Sequence, residues 1–225
     1  MLKFVRSRTL YAALACFLTV AAAHAQTSST ALSRQLDHMD LGLTAPYELT
    51  RTSSGNNITQ AVSTASGFLG TLRYTHSPFI GFEMNYKKTR FTQNYTYPFT
   101  AQNPGGGSIV TPATLGVEAN VQELSWGYVA HAPSTYFGFK PFGGVGLGTL
   151  EFKPTPNGGE GLERQFRAEY YWNIGADYQL GSPHFGARVA MRQIFYIAPD
   201  FGQNYLTSGA RTSTFEPSAG FYLHF

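Results

Sequence analysis

Apolar and polar side chains alternate with a period of two along most of the chain, in eight segments: 36–51, 58–75, 79–95, 113–130, 136–153, 163–181, 184–198 and 211–225. A period of two is the signature of a strand with one apolar and one polar face. In the first segment Met39, Leu41, Leu43, Ala45 and Tyr47 alternate with Asp40, Gly42, Thr44 and Glu48. In the third, Ile80, Phe82, Met84 and Tyr86 alternate with Glu83, Asn85 and Lys87; in the seventh, Phe185, Ala187, Val189, Met191 and Phe195 alternate with Gly186, Arg188, Ala190 and Arg192. Several segments exceed the ~5–6 residues of an average soluble strand and suit a tilted strand that crosses a bilayer, which needs ~9–11 residues.

The connections alternate in length. Those at His76-Ser77-Pro78-Phe79, His131-Ala132-Pro133-Ser134-Thr135 and Ser182-Pro183-His184 are short, while 52–57, 96–112, 154–162 and 199–210 are longer and rich in Gly, Asn, Ser and Pro. Short turns on one side and long loops on the other describe an antiparallel up-and-down transmembrane β-barrel of eight strands. An even strand count puts the N- and C-termini together at the short-turn, periplasmic end. The apolar faces then meet lipid, and the charged faces line the interior.

That arrangement constrains pairing, because an ion buried in a narrow barrel must be paired. A turn centred between Ser182 and Pro183 sets Asp177 opposite Arg188 and Asn173 opposite Arg192, and one centred on Pro78 sets Arg73 opposite Glu83. All six are expected on the inner face, where ion pairs would plug a barrel barely wide enough for its own side chains. The fourth segment changes face between Val121 and Leu124, which predicts a bulge near Gln122 and Glu123. The run Gly143-Gly144-Val145-Gly146-Leu147-Gly148 precedes no helix that could cap a phosphate. It is read as room for large side chains across the lumen. Trp126, Tyr128, Phe137, Phe139, Tyr74 and Phe185 lie near the short turns, where an aromatic girdle would sit.

Composition sharpens the picture at the N-terminus. Lys3, Arg6 and Arg8 precede an apolar stretch from Leu10 to Ala22 and the small-x-small triplet Ala23-His24-Ala25, so residues 1–25 read as a cleaved signal peptide. Residues 26–35 form a short N-terminal tail and residues 36–225 the barrel domain. Cleavage removes three of 16 basic residues and no acid, leaving 13 against 13. The mature chain is neutral, which argues against nucleic acid as a partner. Cys16, the one cysteine, departs too, so disulfides and a thiolate metal site are not expected.

The final residues, Ser218-Ala219-Gly220-Phe221-Tyr222-Leu223-His224-Phe225, place Phe221, Leu223 and Phe225 on one strand face. With Gly220, Leu223 and the terminal Phe225, this spacing resembles the C-terminal assembly signal of bacterial outer-membrane β-barrels. Together with the alternation, the chain resembles the small eight-stranded barrels of the OmpA transmembrane-domain and OmpX type over residues 36–225. The resemblance implies a place in the Gram-negative outer membrane, contact with its lipid, and engagement of the barrel-assembly machinery through the last strand. OmpA-like proteins continue into a peptidoglycan-binding domain, whereas this sequence closes on the strand, so anchoring is not carried over.

Function is expected in the structure itself or in its outer loops. No charged residue lies between Phe91 and Val117, which argues against a basic patch there, and Asp200, Phe201, Tyr205 and Arg211 are the loop recognition candidates for an unidentified extracellular ligand. A narrow pore for small solutes is the first alternative. A lipid-modifying enzyme is the second and weaker one, since outer-membrane lipid A deacylases resemble serine esterases with a His-x-Ser pair and no such pair occurs here. The histidines beyond the signal, His38, His76, His131, His184 and His224, fall at the short-turn rim. Strand ends spread around a rim converge poorly on one ion, so neither a metal nor a cofactor is expected.

Overall fold

A computed structural model describes residues 35–77, 79–102, 106 and 108–225. The expected signal peptide lies outside the described residues, as do Pro78 and most of the Asn103–Gly107 stretch. One compact unit comprises Asp40–His224, and the description below concerns it. Its strands are β1 (Met39–Thr50), β2 (Ser53–Gly55), β3 (Ile58–Val62), β4 (Ala65–Tyr74), β5 (Ile80–Gln102), β6 (Ser108–His131), β7 (Phe139–Pro154), β8 (Gln165–Ser182), β9 (Phe185–Ile197) and β10 (Arg211–His224). The hydrogen-bonded order β5-β4-β1-β10-β9-β8-β7-β6 returns from β6 to β5 and so closes eight strands into an antiparallel ring. Closure satisfies backbone groups that an open sheet edge would expose to hydrocarbon. No described helix is long and apolar enough to cross a membrane.

The side chains are inverted relative to a water-soluble sheet. Leu43, Phe82, Met84, Leu124, Trp126, Val145, Leu147, Ile174, Val189 and Phe221 are exposed on the outside, while Glu83, Lys87, Glu123, Arg188, Arg192 and Glu216 are buried inside. On β5 the outward apolar run Ile80–Tyr86 gives way to exposed Lys88 and Arg90. Near the short turns Trp126, Tyr128, Phe139 and Phe185 point outward, and Phe137 stands at a turn tip, 99 % exposed.

Three sequence expectations need correction. The second segment is not one strand: β3 pairs with β5 in the register Thr59↔Thr96, β4 in the register Gly67↔Thr89, a shift of one residue at Ser63-Thr64. Such a bulge reverses which parity faces inward, and the buried side chains pass from Ile58 and Gln60 in β3 to Ala65, Leu69, Thr71 and Arg73 in β4. Secondly, the connection at 96–112 is largely strand, because β5 and β6 run on in one register from Ile80↔Ala130 to Gln102↔Ser108. That unbroken register also removes the bulge expected near Gln122 and Glu123. Val117, Ala119 and Val121 face inward like Glu123; the interior itself turns apolar at that height. Thirdly, the turn after β6 extends to Gly138, with Phe137 and Gly138 at φ 53° and 83°.

The glycine run in β7 makes room for the flanking strands β6 and β8 rather than for side chains across the lumen. A Cβ on Gly146 would lie 2.5 Å from both the Tyr171 ring and the Trp126 carbonyl oxygen. Gly146→Val should therefore destabilise the barrel by about 1–3 kcal/mol through overpacking. The check is the fraction of refolded protein that keeps its heat-modifiable migration in detergent gels, which should fall relative to the unsubstituted chain.

Candidate functional site

The interior is stratified. Nearest the short turns, Arg73 donates to Glu83 at 3.1 Å and reaches Asp177 at 3.4 Å. Arg188 stands opposite Asp177 in register and donates Nε to its Oδ1 at 2.6 Å. Phe142 offers its ring face to Arg73 at 4.3 Å and to Arg188 at 5.4 Å, an arrangement that disperses cationic charge where water is scarce. Asn173 faces Arg192 in register but donates Nδ2 to Glu83 at 2.7 Å instead. Asn173 and Arg192 stand opposite each other on the inner face as expected, while the guanidinium of Arg192 turns to carboxyl groups. It lies 2.5 Å from Glu123, 3.6 Å from Glu169 and 3.7 Å from Glu216, and over the Tyr171 ring at 4.0 Å.

Around the middle, Lys87 is the hub. Its ammonium lies 2.7 Å from Glu48, 3.0 Å from Glu123, and in contact with Glu216. Fully buried, it satisfies three acids from three other strands. Across the two layers six buried carboxyls (Glu48, Glu83, Glu123, Glu169, Asp177, Glu216) face four buried cations (Arg73, Lys87, Arg188, Arg192) among the described residues. Nearest-strand reasoning missed Lys87, although Lys87 stands opposite Glu123 in register. Placing a bulge at Glu123 hid that pair. Glu216 opposite Arg192 carried the same signal. The contacts of Lys87 with Glu48 and Glu216 join strands that are not neighbours and left no trace in hairpin arithmetic.

Above the ions the lumen is apolar. Phe91, Val121, Leu150, Phe152, Ile194 and Tyr196 form one buried cluster with Tyr95, Phe201 and Leu206. Two lumen cavities have volumes of about 10 and 30 Å³, room for about one water each. The loop between β9 and β10 closes the top. Gln165 at the start of β8 accepts the backbone N–H of Asp200 and Phe201 and donates to Asp200 Oδ1 at 2.5 Å. Burial pushes the Asp200 carboxyl up, but donation from Gln165, the Gly202 N–H and Thr207, with the Arg167 guanidinium 3.3 Å away, holds it below the usual carboxylate range.

The loop recognition candidates divide. Phe201 is 0 % exposed, in the left-handed region at φ 51°, and packs edge-on against Tyr95 at 6.3 Å. It belongs to the buried apolar cluster; Asp200 is engaged in holding the loop. Tyr205, on the 3-10 turn Asn204–Leu206, remains exposed. Arg211 is exposed at the start of β10. Of the residues expected to form an assembly signal, Leu223 and Phe225 are exposed apolar side chains, and Gly220 packs against the Leu43 backbone at the β1–β10 seam. The histidines do not cluster: His131 is buried 3.3 Å from Arg73, His184 contacts the His224 carbonyl, and His224 contacts Asp40 at 2.7 Å. No group of three or more metal-ligating His, Cys, Asp or Glu side chains occurs among the described residues.

A closed ring with an apolar exterior and an ionic interior defines a membrane-spanning β-barrel of the outer-membrane class. The family model described as "Outer membrane protein beta-barrel domain" matches residues 12–221, and the chain belongs to that family. Its place is the bacterial outer membrane. The fold is similar to that of the outer membrane protein OprG from Pseudomonas aeruginosa, with a TM-score of 0.51 at 13% identity over 83% of this chain and 94% of that one. Neisserial surface protein A aligns over 84% of this chain and 97% of its own at 14% identity, TM-score 0.49. No curated protein matches the sequence.

Two predictions follow from the ionic layers and the loop clamp. Lys87→Met strands Glu48, Glu123 and Glu216 without their shared cation and should cost about 3–5 kcal/mol. Denaturant unfolding in detergent, followed by the fluorescence of Trp126 and Trp172, measures it. At Asp200 the folded pKa is depressed. The clamp is therefore complete above the ordinary carboxylate value of ~3.9 and is lost as the pH falls through the folded value. The amide resonance of Gly202, which donates to Asp200 Oδ1, should hold its position from neutral pH to about 5, move only below the ordinary value, and be displaced at every pH in Asp200→Asn.

Proposed function

We propose that this protein is a plugged outer-membrane barrel that works at the cell surface through its outer hairpins and loop. The observation that carries the reading is the stacking of two ion-paired layers beneath an apolar one, capped by Phe201 and Leu206. A continuous water path has little room in such an interior. Meanwhile β5 continues from Lys88 to Gln102 beyond the apolar belt, on the order of 45 Å of strand at ~3.3 Å per residue. An export signal over residues 1–25 and a C-terminal strand read by the assembly machinery would both favour a periplasmic side at the short turns. The lumen serine Ser125 is bonded to Glu123 and Arg192 rather than to a histidine, which favours a role without catalysis.

A narrow pore is the competing reading, and the two-carboxyl excess of the interior favours it to the extent that it would select cations. Purified protein in planar bilayers separates the two. The plugged reading expects no unitary currents from the unsubstituted chain at neutral pH; steady, cation-preferring steps would overturn it.

A further inference from the structure

Outside the membrane belt, the structure places one cleft that the plug does not use. It lies between the β2–β3 hairpin, the outer part of β5 and the Asn204–Leu206 turn, has a volume of about 320 Å³, and is lined by Asn56, Ile58, Tyr97, Pro98, Asn204, Tyr205 and Thr207. We propose that this cleft binds an uncharged saccharide. The assignment rests on the reading of the outer end as the working surface and names what that surface takes.

The lining has the composition that a sugar ring requires. Tyr97 and Tyr205 meet with ring centroids 5.3 Å apart and planes inclined at 49°, forming an angled pair of aromatic faces. A pyranose has an apolar face of C–H groups that packs on such a ring and a rim of hydroxyls that needs both donors and acceptors; a phenol meets the first need with its body and the second with its tip. The amides supply the rest. Asn56 is fixed by donation from Nδ2 to the Thr207 carbonyl at 3.1 Å, which leaves Oδ1 to accept. Asn204 makes no side-chain hydrogen bond among the described residues. None of the seven lining residues is charged, so the cleft lacks the cations that a sulfated or phosphorylated ligand would need. Its volume falls at the low end of the ~300–1,000 Å³ typical of small-ligand sites.

The site is also built in advance. Tyr205 is followed by Leu206, fully buried, and preceded by Phe201, also fully buried, so two anchors hold the exposed ring in place. Tyr97 continues a strand whose Tyr95 hydroxyl donates to the Pro199 carbonyl at 2.7 Å, tying β5 to the same loop. Asn56 and Asn57 occupy left-handed backbone at φ 51° and 61°, the geometry of a tight hairpin turn. Little ordering is left for a ligand to impose.

The test uses the full mature chain refolded in detergent. Saturation-transfer NMR is recorded against a panel of neutral oligosaccharides, sulfated oligosaccharides, and purified lipopolysaccharide bearing neutral O-polysaccharide. The proposal expects transfer to neutral sugars, reduced at least tenfold in Tyr97→Ala/Tyr205→Ala, with heat-modifiable migration kept. Binding of free oligosaccharide alone points to a foreign glycan, and binding of the O-polysaccharide points to the cell's own surface; either supports the cleft. Absence of transfer to any neutral sugar, transfer confined to sulfated ones, or transfer that survives the double substitution overturns it. Surface adhesion by cells displaying the protein, if it persists in the double variant, also overturns the cleft while sparing the broader surface role.

Discussion

A charged group cannot be left unpaired inside a barrel this narrow, and that constraint organises the molecule. Removing ions from water costs several kcal/mol each unless partners and hydrogen bonds compensate. Lys87 answers this by drawing acids from β1, β6 and β10 onto one ammonium. Arg192 and Arg73 do the same from β9 and β4. Every strand that contributes to these layers is fixed in height and rotation relative to strands it never touches along its backbone. The ring is thereby braced across its diameter as well as around its circumference.

The apolar layer above the ions has a different task. Ion pairs tolerate a few waters and weaken as water enters, since the attraction between charges falls as the local dielectric rises. Phe91, Phe152, Ile194 and Tyr196 pack with Phe201 and Leu206 in one buried apolar cluster on the loop side of the ions. The Gln165–Asp200 clamp then holds Phe201 in its left-handed conformation. Interior chemistry and loop conformation are thus coupled, and the exposed Tyr205 takes its position from side chains that face the other way.

How much of this could be read from the sequence depended on the range of the interaction. The outward faces of β1, β5 and β9 were legible because alternation is local. Arg73 with Glu83 lies across a hairpin whose register is constant; Asp177 with Arg188 falls in the expected register even though the turn itself pairs Ser182 with Phe185, because a bulge between Gln179 and Ser182 absorbs the difference. The Lys87 hub was legible only in part: Glu123 lies opposite it across one hairpin, whereas Glu48 and Glu216 come from strands that meet it only once the ring closes. The fourth segment misled for a physical reason: a change from polar to apolar along one inner face looks the same as a change of face. The true register shift at Ser63-Thr64 is marked only by small polar residues.

The long β5–β6 hairpin carries one more consequence. Past the point where β3 and β7 cease to accompany it, this ribbon has two free edges, and free edges are templates for pairing with further chains. Pro98 and Pro112 stand opposite one another in its register. Two prolines can face each other in an antiparallel ladder only at a pair that exchanges no hydrogen bonds, where the missing N–H groups would have pointed outward. Each edge of the ribbon is therefore interrupted at the same height. Those interruptions work against edge-to-edge pairing between copies of this hairpin.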